Sequence, residues 1–500
     1  MPVTGGIPTS RRYWNSVLRI QPAVANASLA LRDRALPAVQ LAIALLLSTL
    51  AGYAVVATGS WQITFGAVGV GGLFALGFLR PALFLGLFLL IRPLLDELSH
   101  ITLGVPSANP SGGMALMVVV LAVALLATTP GVMRSPPSLA FGLVVLITAG
   151  GAGLAMFDFG QTIGTEPLSD TVRIAALLGM YLLVANVFCS PERVRQLFVV
   201  VGLSGVAPAV LGLVELISGP EVAEHLGLAR ISGPFGGPNP LGMYCALTAL
   251  VLIAMPRRWL PWWGRMLALA PILVALVATY SRAGWVVFLL GLLLLEWRRN
   301  KVLVLSAIVV VAAVVALVPT VKERVIPSNK AESSSPETYE SFGWRVDNWA
   351  DLLAKASKKP IVGYGTKTTI YVNPRRTTGA QTSDNGGFEA HNAVVRILVE
   401  GGVVLLAAYV FFMALLFRML YRLTRDRWRL QVPAKIVAVL WLVFTILAVG
   451  ADDPFDQTAI MFALFALTAA LDGASQLEGA SARRAARRRR PDPALAHAAD

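Results

Sequence analysis

The stretch "PILVALVATYSRAGWVVFLLGLLLLEWRRNK", Pro271 to Lys301, decides the fold class. Two continuously apolar runs meet at a short turn holding Tyr280, Ser281 and Arg282. The second run ends on a cluster of Arg and Lys. Such a pair reads as a helical hairpin through a bilayer, whose hydrocarbon core is about 30 Å thick. Backbone N–H and C=O groups find no water in lipid, so the spans must be helices. A β-barrel would show alternation in units of about 10 residues, and these runs do not alternate. The pattern recurs along most of the chain, in which 56% of the 500 residues are hydrophobic and 14% are charged.

Apolar runs place spans at 36–58, 62–79, 81–95, 113–130, 137–156, 171–189, 195–217, 239–255, 265–280, 283–297, 301–319, 393–417, 433–450 and 456–472. Several are short, so the expected bundle has about 12–14 spanning helices. With the N-terminus inside, Arg80, Arg134, Arg193, Arg195, Arg257, Arg258 and the "EWRRNK" and "RMLYRLTRDRWR" stretches all fall inside. The short loops on the other side, such as "TGSWQ" and "ADDPFDQ", carry no Lys or Arg. That asymmetry orients the chain with both termini cytoplasmic. The net charge of +14 reads as topology and attraction to anionic lipid, not as a nucleic-acid surface, because the basic residues stand beside spans. Cys189 and Cys245 fall near opposite membrane faces, which argues against a disulfide.

The expected organisation is a cytoplasmic segment 1–35, eleven spans over 36–319, an extracytoplasmic loop subdomain 320–392, three spans over 393–472 and a disordered basic tail 473–500. Within the large loop, "SFGWRVDNWADLLAKA" spaces Trp344, Val346, Trp349, Leu352 and Leu353 as on one helical face. "KKPIVGYGT" then stops that helix with Pro360 and two glycines.

The candidate chemistry falls on the outer side. Arg230 and Asn239 lie in "RISGPFGGPNP", where Asn239 is placed to cap the next helix. Tyr280 and Arg282 lie at the hairpin tip, Arg345 in the loop helix, and His391 and Asn392 where the loop re-enters the membrane. Glu400 follows inside the same span, too deep to bond His391 and suited to a buried arginine or a helix end. Arginine offers phosphate a bidentate fork and keeps its charge. An imidazole titrates near neutrality and can accept a proton.

"RISGPFGGPNPLGMY", "YSRAGW", "GWRVDNW", "PIVGYG" and "HNAVVRILVEGG", in this order across about residues 170–450, resemble the O-antigen ligase and polymerase superfamily. The resemblance implies a membrane glycosyltransferase of GT-C-like architecture in the cytoplasmic membrane, with its active site on the extracytoplasmic face. Such an enzyme moves a glycan from a polyprenyl diphosphate carrier to the hydroxyl of a glycan or glycolipid acceptor. It implies His391 as base, Arg282 and Arg345 as a diphosphate clamp, and Arg230, Asn239, Tyr280, Asn392 and Glu400 as substrate-binding positions. It also implies an inverting displacement without a metal or other cofactor.

Plainer readings exist for each residue. Arg282 can be a snorkelling anchor. Arg345 can be a solvated charge, and Arg230 a loop brace. The carboxylates Asp96 and Glu97, and Asp452, Asp453 and Asp456, raise a divalent-cation mechanism as an alternative. Against it, Arg92 and Asp96 can pair along a helix. A polysaccharide polymerase uses the same donor and face as a ligase. A flippase for the lipid-linked sugar, or a non-catalytic scaffold, are more distant readings.

Overall fold

The computed structural model describes residues 79–95, 110–128, 135–218, 228–317, 342–373, 389–425, 429–450 and 453–489, with a few further positions. The expected spans 36–58 and 62–79 lie almost wholly outside the described residues, as do Asp96, Glu97 and Asp452. The helices in chain order are α1 (Pro81–Ile91), α2 (Pro110–Thr128), α3 (Pro136–Phe159), α4 (Glu166–Val187), α5 (Pro191–Leu203), α6 (Val206–Ser218), α7 (Pro238–Ala254), α8 (Trp262–Ala278), α9 (Arg282–Glu296), α10 (Lys301–Leu317), α11 (Phe342–Ala356), α12 (Thr369–Val372), α13 (Ala393–Arg425), α14 (Gln431–Gly450) and α15 (Thr458–Arg489). Every span expected from residue 81 onward coincides with one of them, α5 and α6 together forming the span 195–217. Among the described residues, six helical segments are long and apolar enough to cross a membrane: Pro136–Thr162, Glu166–Val187, Pro191–Ser218, Ala393–Arg425, Gln431–Gly450 and Thr458–Ser481. The chain is an all-α polytopic membrane protein. Its described strand structure is one antiparallel pair, Glu224–His225 with Leu228–Ala229.

Local chemistry sets the helix starts. Ser135 and Ser190 accept hydrogen bonds from the first-turn N–H groups of α3 and α5, each followed by a proline. Proline lacks only an N–H that would go unpaired there, so Ser-Pro is a compact start signal. Small residues let helices touch. Gly284 of α9 meets the backbone of Gly242 in α7, and a Cβ on it would come within 2.7 Å. Between α5 and α6 the chain breaks at Ser204–Gly205, where Gly205 packs on Thr248 and Ser204 Oγ is 2.7 Å from the Tyr244 hydroxyl.

The centre of the bundle is α15, with 89% of its apolar window buried, against 28% for α13 at the periphery. Phe465 of α15 packs on Phe141, Tyr181, Phe412 and Trp441, drawing α3, α4, α13 and α14 around it. α15 also corrects the expected tail: it continues as helix from 473 through Arg489. The physical reason is propensity, since Ala, Arg and Glu lose little by extending a helix that is already nucleated.

The loop helix exists as expected, over Phe342–Ala356. Its buried side is narrower than the spacing suggested. Leu352 and Ala356 pack with Ala390, Val395 and Val399, while Val346 and Leu353 are exposed. The segment after it does more than end a helix. α13 is broken at Gly402, which has φ 60° and ψ −160°. Residues 360–366 dock into that break. Pro360 O and Ile361 O accept from Val403 N and Val404 N at 2.8 and 3.2 Å. Tyr364 N and Gly365 N donate to Val399 O and Glu400 O at 2.9 and 2.8 Å. Four backbone groups freed by the break are thus paired, as interrupted helices in membranes require. On its other side this wedge meets α3: Thr366 N donates to Gly151 O, and Thr366 Oγ1 to Thr148 O.

Candidate functional site

The residues singled out in the sequence assemble into two groups. The first surrounds the hairpin tip. Arg230 is buried; its Nε donates to Thr279 O at 3.0 Å and its Nη2 to Asn239 Oδ1 at 3.3 Å. Asn239 Oδ1 also accepts from Ser281 Oγ at 3.0 Å. Asn239 is therefore a bracket between loop and hairpin, not the cap of α7. The cap position belongs to Gly237, and Pro238 takes the first helical position. Glu215 holds the same loop by accepting from Ser232 N and Gly233 N at 3.0 and 2.7 Å.

This bracing fixes the tip. Tyr280 has φ 46°, a conformation that bulky side chains avoid, and its ring lies edge-on to Trp285. Ser281 caps α9 by accepting from Gly284 N at 3.1 Å. Arg282 is then the first residue of α9 and is exposed. A cation at a helix N-terminus opposes the macrodipole. The same combination of guanidinium and dipole attracts an anion.

The second group surrounds His391. Its backbone has φ 47°, and Asn392 follows as the cap of α13. Asn392 Oδ1 accepts from Val394 N and Val395 N at 2.9 and 3.1 Å, and its amide donates to Val449 O of α14 at 2.8 Å. Those bonds fix where α13 begins. The carbonyls just ahead of His391 are gripped by Arg345's helix: Asn348 donates to Glu389 O at 3.2 Å and Trp349 Nε1 to Ala390 O at 2.7 Å. Asn373 donates to Asn348 Oδ1 at 2.9 Å, closing the brace. Arg345, half-buried, lies one turn before these contacts. The helices that carry the two groups are joined through α14: α9 packs on α14, and Asn392 bonds the last turn of α14 at Val449 O.

Beneath His391 lies a charge network that the sequence did not reveal. Arg396 Nε donates to Asp453 Oδ2 at 2.6 Å, and its Nη1 is 3.7 Å from Glu400. Glu400 also accepts from Thr369 Oγ1 at 2.9 Å. It serves a buried arginine and the segment that follows the wedge, one of the two roles the sequence suggested. Arg173 of α4 bonds Asp170 and reaches Asp456 at 2.8 Å, while Lys367 is 3.4 Å from Asp456. Asp170, Arg173, Arg396 and Glu400 line a cavity of about 30 Å³, also bounded by Tyr409 and Trp441. That is room for a water or two and far too small for a sugar. The network braces α4, α13 and the segment ahead of α15 together.

The brace occupies two carboxylates of the expected cation alternative, whose others, Asp96, Glu97 and Asp452, lie outside the described residues. The Asp453 and Asp456 carboxylates are engaged by Arg396, Arg173 and Lys367, and among the described residues no group of acidic, His or Cys side chains is arranged to hold a metal ion. The expected Arg92–Asp96 pair involves Asp96, outside the described residues. Arg92 itself is buried, with its guanidinium 6.0 Å from the centre of the Phe462 ring. Cys189 and Cys245 are both free thiols.

Burial raises the Asp456 carboxyl, but Arg173, Lys367 and Arg396 outweigh it and hold the group well below the usual carboxylate range. Its stabilising contribution is complete above the unfolded value near pH 4 and is lost as pH falls towards the folded value. Thermal midpoints measured from about pH 6 to pH 3 should fall less steeply for Asp456→Asn than for the unsubstituted protein. Asp453→Asn is expected to be more damaging, at about 3 kcal/mol, because it strands the Arg396 guanidinium with the more distant Glu400. A midpoint unchanged from the unsubstituted protein would show the pair to be dispensable.

No curated protein matches the chain. The family model described as O-antigen ligase matches residues 267–410, from α8 through the hairpin tip, the loop helix and His391 to the broken helix α13. Residues 267–410 are thus similar to O-antigen ligases, in agreement with the superfamily that the motifs resembled, and the match supports a membrane glycan ligase or polymerase type of function.

Proposed function

We propose that the protein transfers a glycan from a polyprenyl diphosphate carrier to an acceptor hydroxyl at the extracytoplasmic face of the cytoplasmic membrane, as a ligase. The observation that supports this best is the setting of His391. It is a left-handed residue at the seam between Arg345's helix and a membrane helix, with the carbonyls ahead of it gripped by Asn348 and Trp349. Strained backbone held this firmly is a mark of functional positions.

In the proposed step the acceptor oxygen attacks the anomeric carbon, and the bond from that carbon to the diphosphate oxygen breaks. The acceptor proton passes to His391, and the electron pair leaves on the diphosphate. Attack from the side opposite the leaving group inverts the anomeric centre. Arg282 and Arg345 meet the charge that grows on the leaving group, the term that most often dominates catalysis. Arg230 and Asn239 hold the Arg282 tip in place, and Tyr280 flanks it.

Purified protein incubated with a defined polyprenyl diphosphate glycan and candidate acceptors tests this reading. The expected result is one glycan added per acceptor, with activity retained in a chelator. A ladder of growing glycan on the carrier lipid would replace the ligase reading with a polymerase. Loss of activity in chelator, restored by a divalent cation, would overturn the metal-independent step. Arg345→Lys is expected to lower kcat by roughly tenfold or more, because lysine keeps the charge but loses the bidentate fork.

A further inference from the structure

α11 does not stand clear of the membrane helices; it runs down the side of α13. Its first half meets the residues before α13, through Asn348 to Glu389 and Trp349 to Ala390. Its last turn, with Leu352 and Ala356, packs with Val395 and Val399. The tip that follows it reaches the break, where Pro360 and Ile361 bond Val403 and Val404. The tip therefore lies at the depth of Gly402.

Helix length says what that depth is. The continuous part of α13 beyond the break, residues 403–425, spans roughly 34 Å at about 1.5 Å per residue. That alone crosses a hydrocarbon core of about 30 Å. The far end carries Arg422 and Arg425, which suit the opposite headgroup layer, with Arg418 one turn short of it and within snorkelling reach. The near surface of the bilayer then falls close to Gly402. The segment 393–401, with its charges Arg396 and Glu400, rises above it.

The tip is built for that level. In "KKPIV", Lys358 is exposed, and Ile361 and Val362 are 63% and 54% exposed. Lys359 bonds Asp158 at 2.7 Å, which sets the tip beside the end of α3. There Phe157 is 88% exposed. Val403 and Val404, bonded to the tip, are also exposed on the outer side of α13. Aliphatic and aromatic side chains below two lysines form one apolar rim, continuous with the lipid-facing surface of a spanning helix. Lysines at such a level place their ammonium groups among headgroups and their stems along the apolar layer.

We infer that the Lys358–Val362 tip inserts into the outer part of the bilayer and seats the loop subdomain on the lipid, its occupant being the acyl chains of the membrane. Val346 and Leu353, exposed on the outer side of α11, continue the apolar surface upward from the rim. The seating fixes the height of Arg345 above the membrane. The use of that height, to meet a diphosphate where its polyprenyl chain leaves the bilayer, rests on the proposed transfer reaction; the seating itself does not.

Site-directed spin labels test the seating without any activity measurement. The full chain, with Cys189 and Cys245 replaced by Ala, is labelled singly at positions 361, 362 and 347 and reconstituted in lipid nanodiscs. At 361 and 362, collision with oxygen is expected to exceed collision with a water-soluble nickel chelate severalfold. At 347, near the top of α11, the order should reverse. Free access of the nickel chelate at 361 and 362 would overturn the inference. Exclusion of both reagents would also overturn it, because a protein surface would then cover the tip. In a parallel arm, Ile361→Asp with Val362→Asp should lower transfer from a long-chain polyprenyl donor severalfold more than transfer from a short-chain soluble one. Equal losses on both donors would overturn the link between seating and catalysis. A wild-type protein that transfers nothing would sink the transfer reading and leave the labelling result standing.

Discussion

Replacing His391 with Asn is expected to reduce glycan transfer by a factor of roughly 10²–10⁴, the range over which a positioned general base contributes. Asn is the informative substitution because of the backbone. With φ at 47°, the position favours residues that tolerate the left-handed region, and Asn is one of the few that do. Alanine tolerates this region less well than histidine or asparagine and would mix a folding defect into the kinetic one. The Asn variant should keep its thermal midpoint and its elution volume in detergent. Its KM for donor should change little, because the base acts on the acceptor proton and not on the diphosphate. Full activity in the variant would remove His391 from the mechanism. A fall in KM affinity with kcat untouched would reassign it to substrate binding.

The second large effect is expected at Gly402. A Cβ there would collide with the carbonyls of Ile361 and Pro360, at a φ of 60° that L side chains rarely adopt. Gly402→Ala should cost on the order of 3 kcal/mol, from left-handed strain together with overpacking. The wedge cannot retreat cheaply, because it is bonded to α3 on its other side. Transfer activity is expected to fall with stability, since the same wedge carries the base of Arg345's helix. Gly150→Ala is the matched control. It lies inside α3 with open space around its Cβ, so alanine should be neutral or stabilising. Equal midpoints for the two variants would show that the break is not held by its fit to the wedge.

Much of this architecture was legible before any coordinates. The spans announced themselves because each apolar run is local, and the loop helix because its Trp and Leu spacing is local too. The ordered motifs around Arg282, Arg345 and His391 pointed to the family whose model matches residues 267–410. What remained hidden depends on pairing across long separations. Arg173 and Asp456 are 283 positions apart, and nothing in either neighbourhood names the other. A signal was present all the same: Arg173, Arg396 and Glu400 are ionisable residues inside apolar runs, where each needs a partner. Asn239 was misplaced by one turn of reasoning. A polar residue between prolines suggested a cap, whereas Gly237 and Pro238 had already started the helix. The wedge escaped for a different cause. Pro360, Gly363 and Gly365 read as a stop signal, and the same residues are also what lets a backbone come within hydrogen-bond reach of a broken helix.

The wedge has a practical consequence for chimaeras. Its four backbone bonds join residues 360–365 to residues 399–404, and no side chain specifies them. A loop exchanged between related enzymes along the obvious boundary, just before His391, would part these two halves and leave a membrane helix with open backbone groups. Exchange that keeps 342–373 and 389–404 together as one inherited block, and swaps only the chain between and before them, preserves the seam. Acceptor preference could then be moved from one enzyme to another without rebuilding the helix on which the chemistry stands.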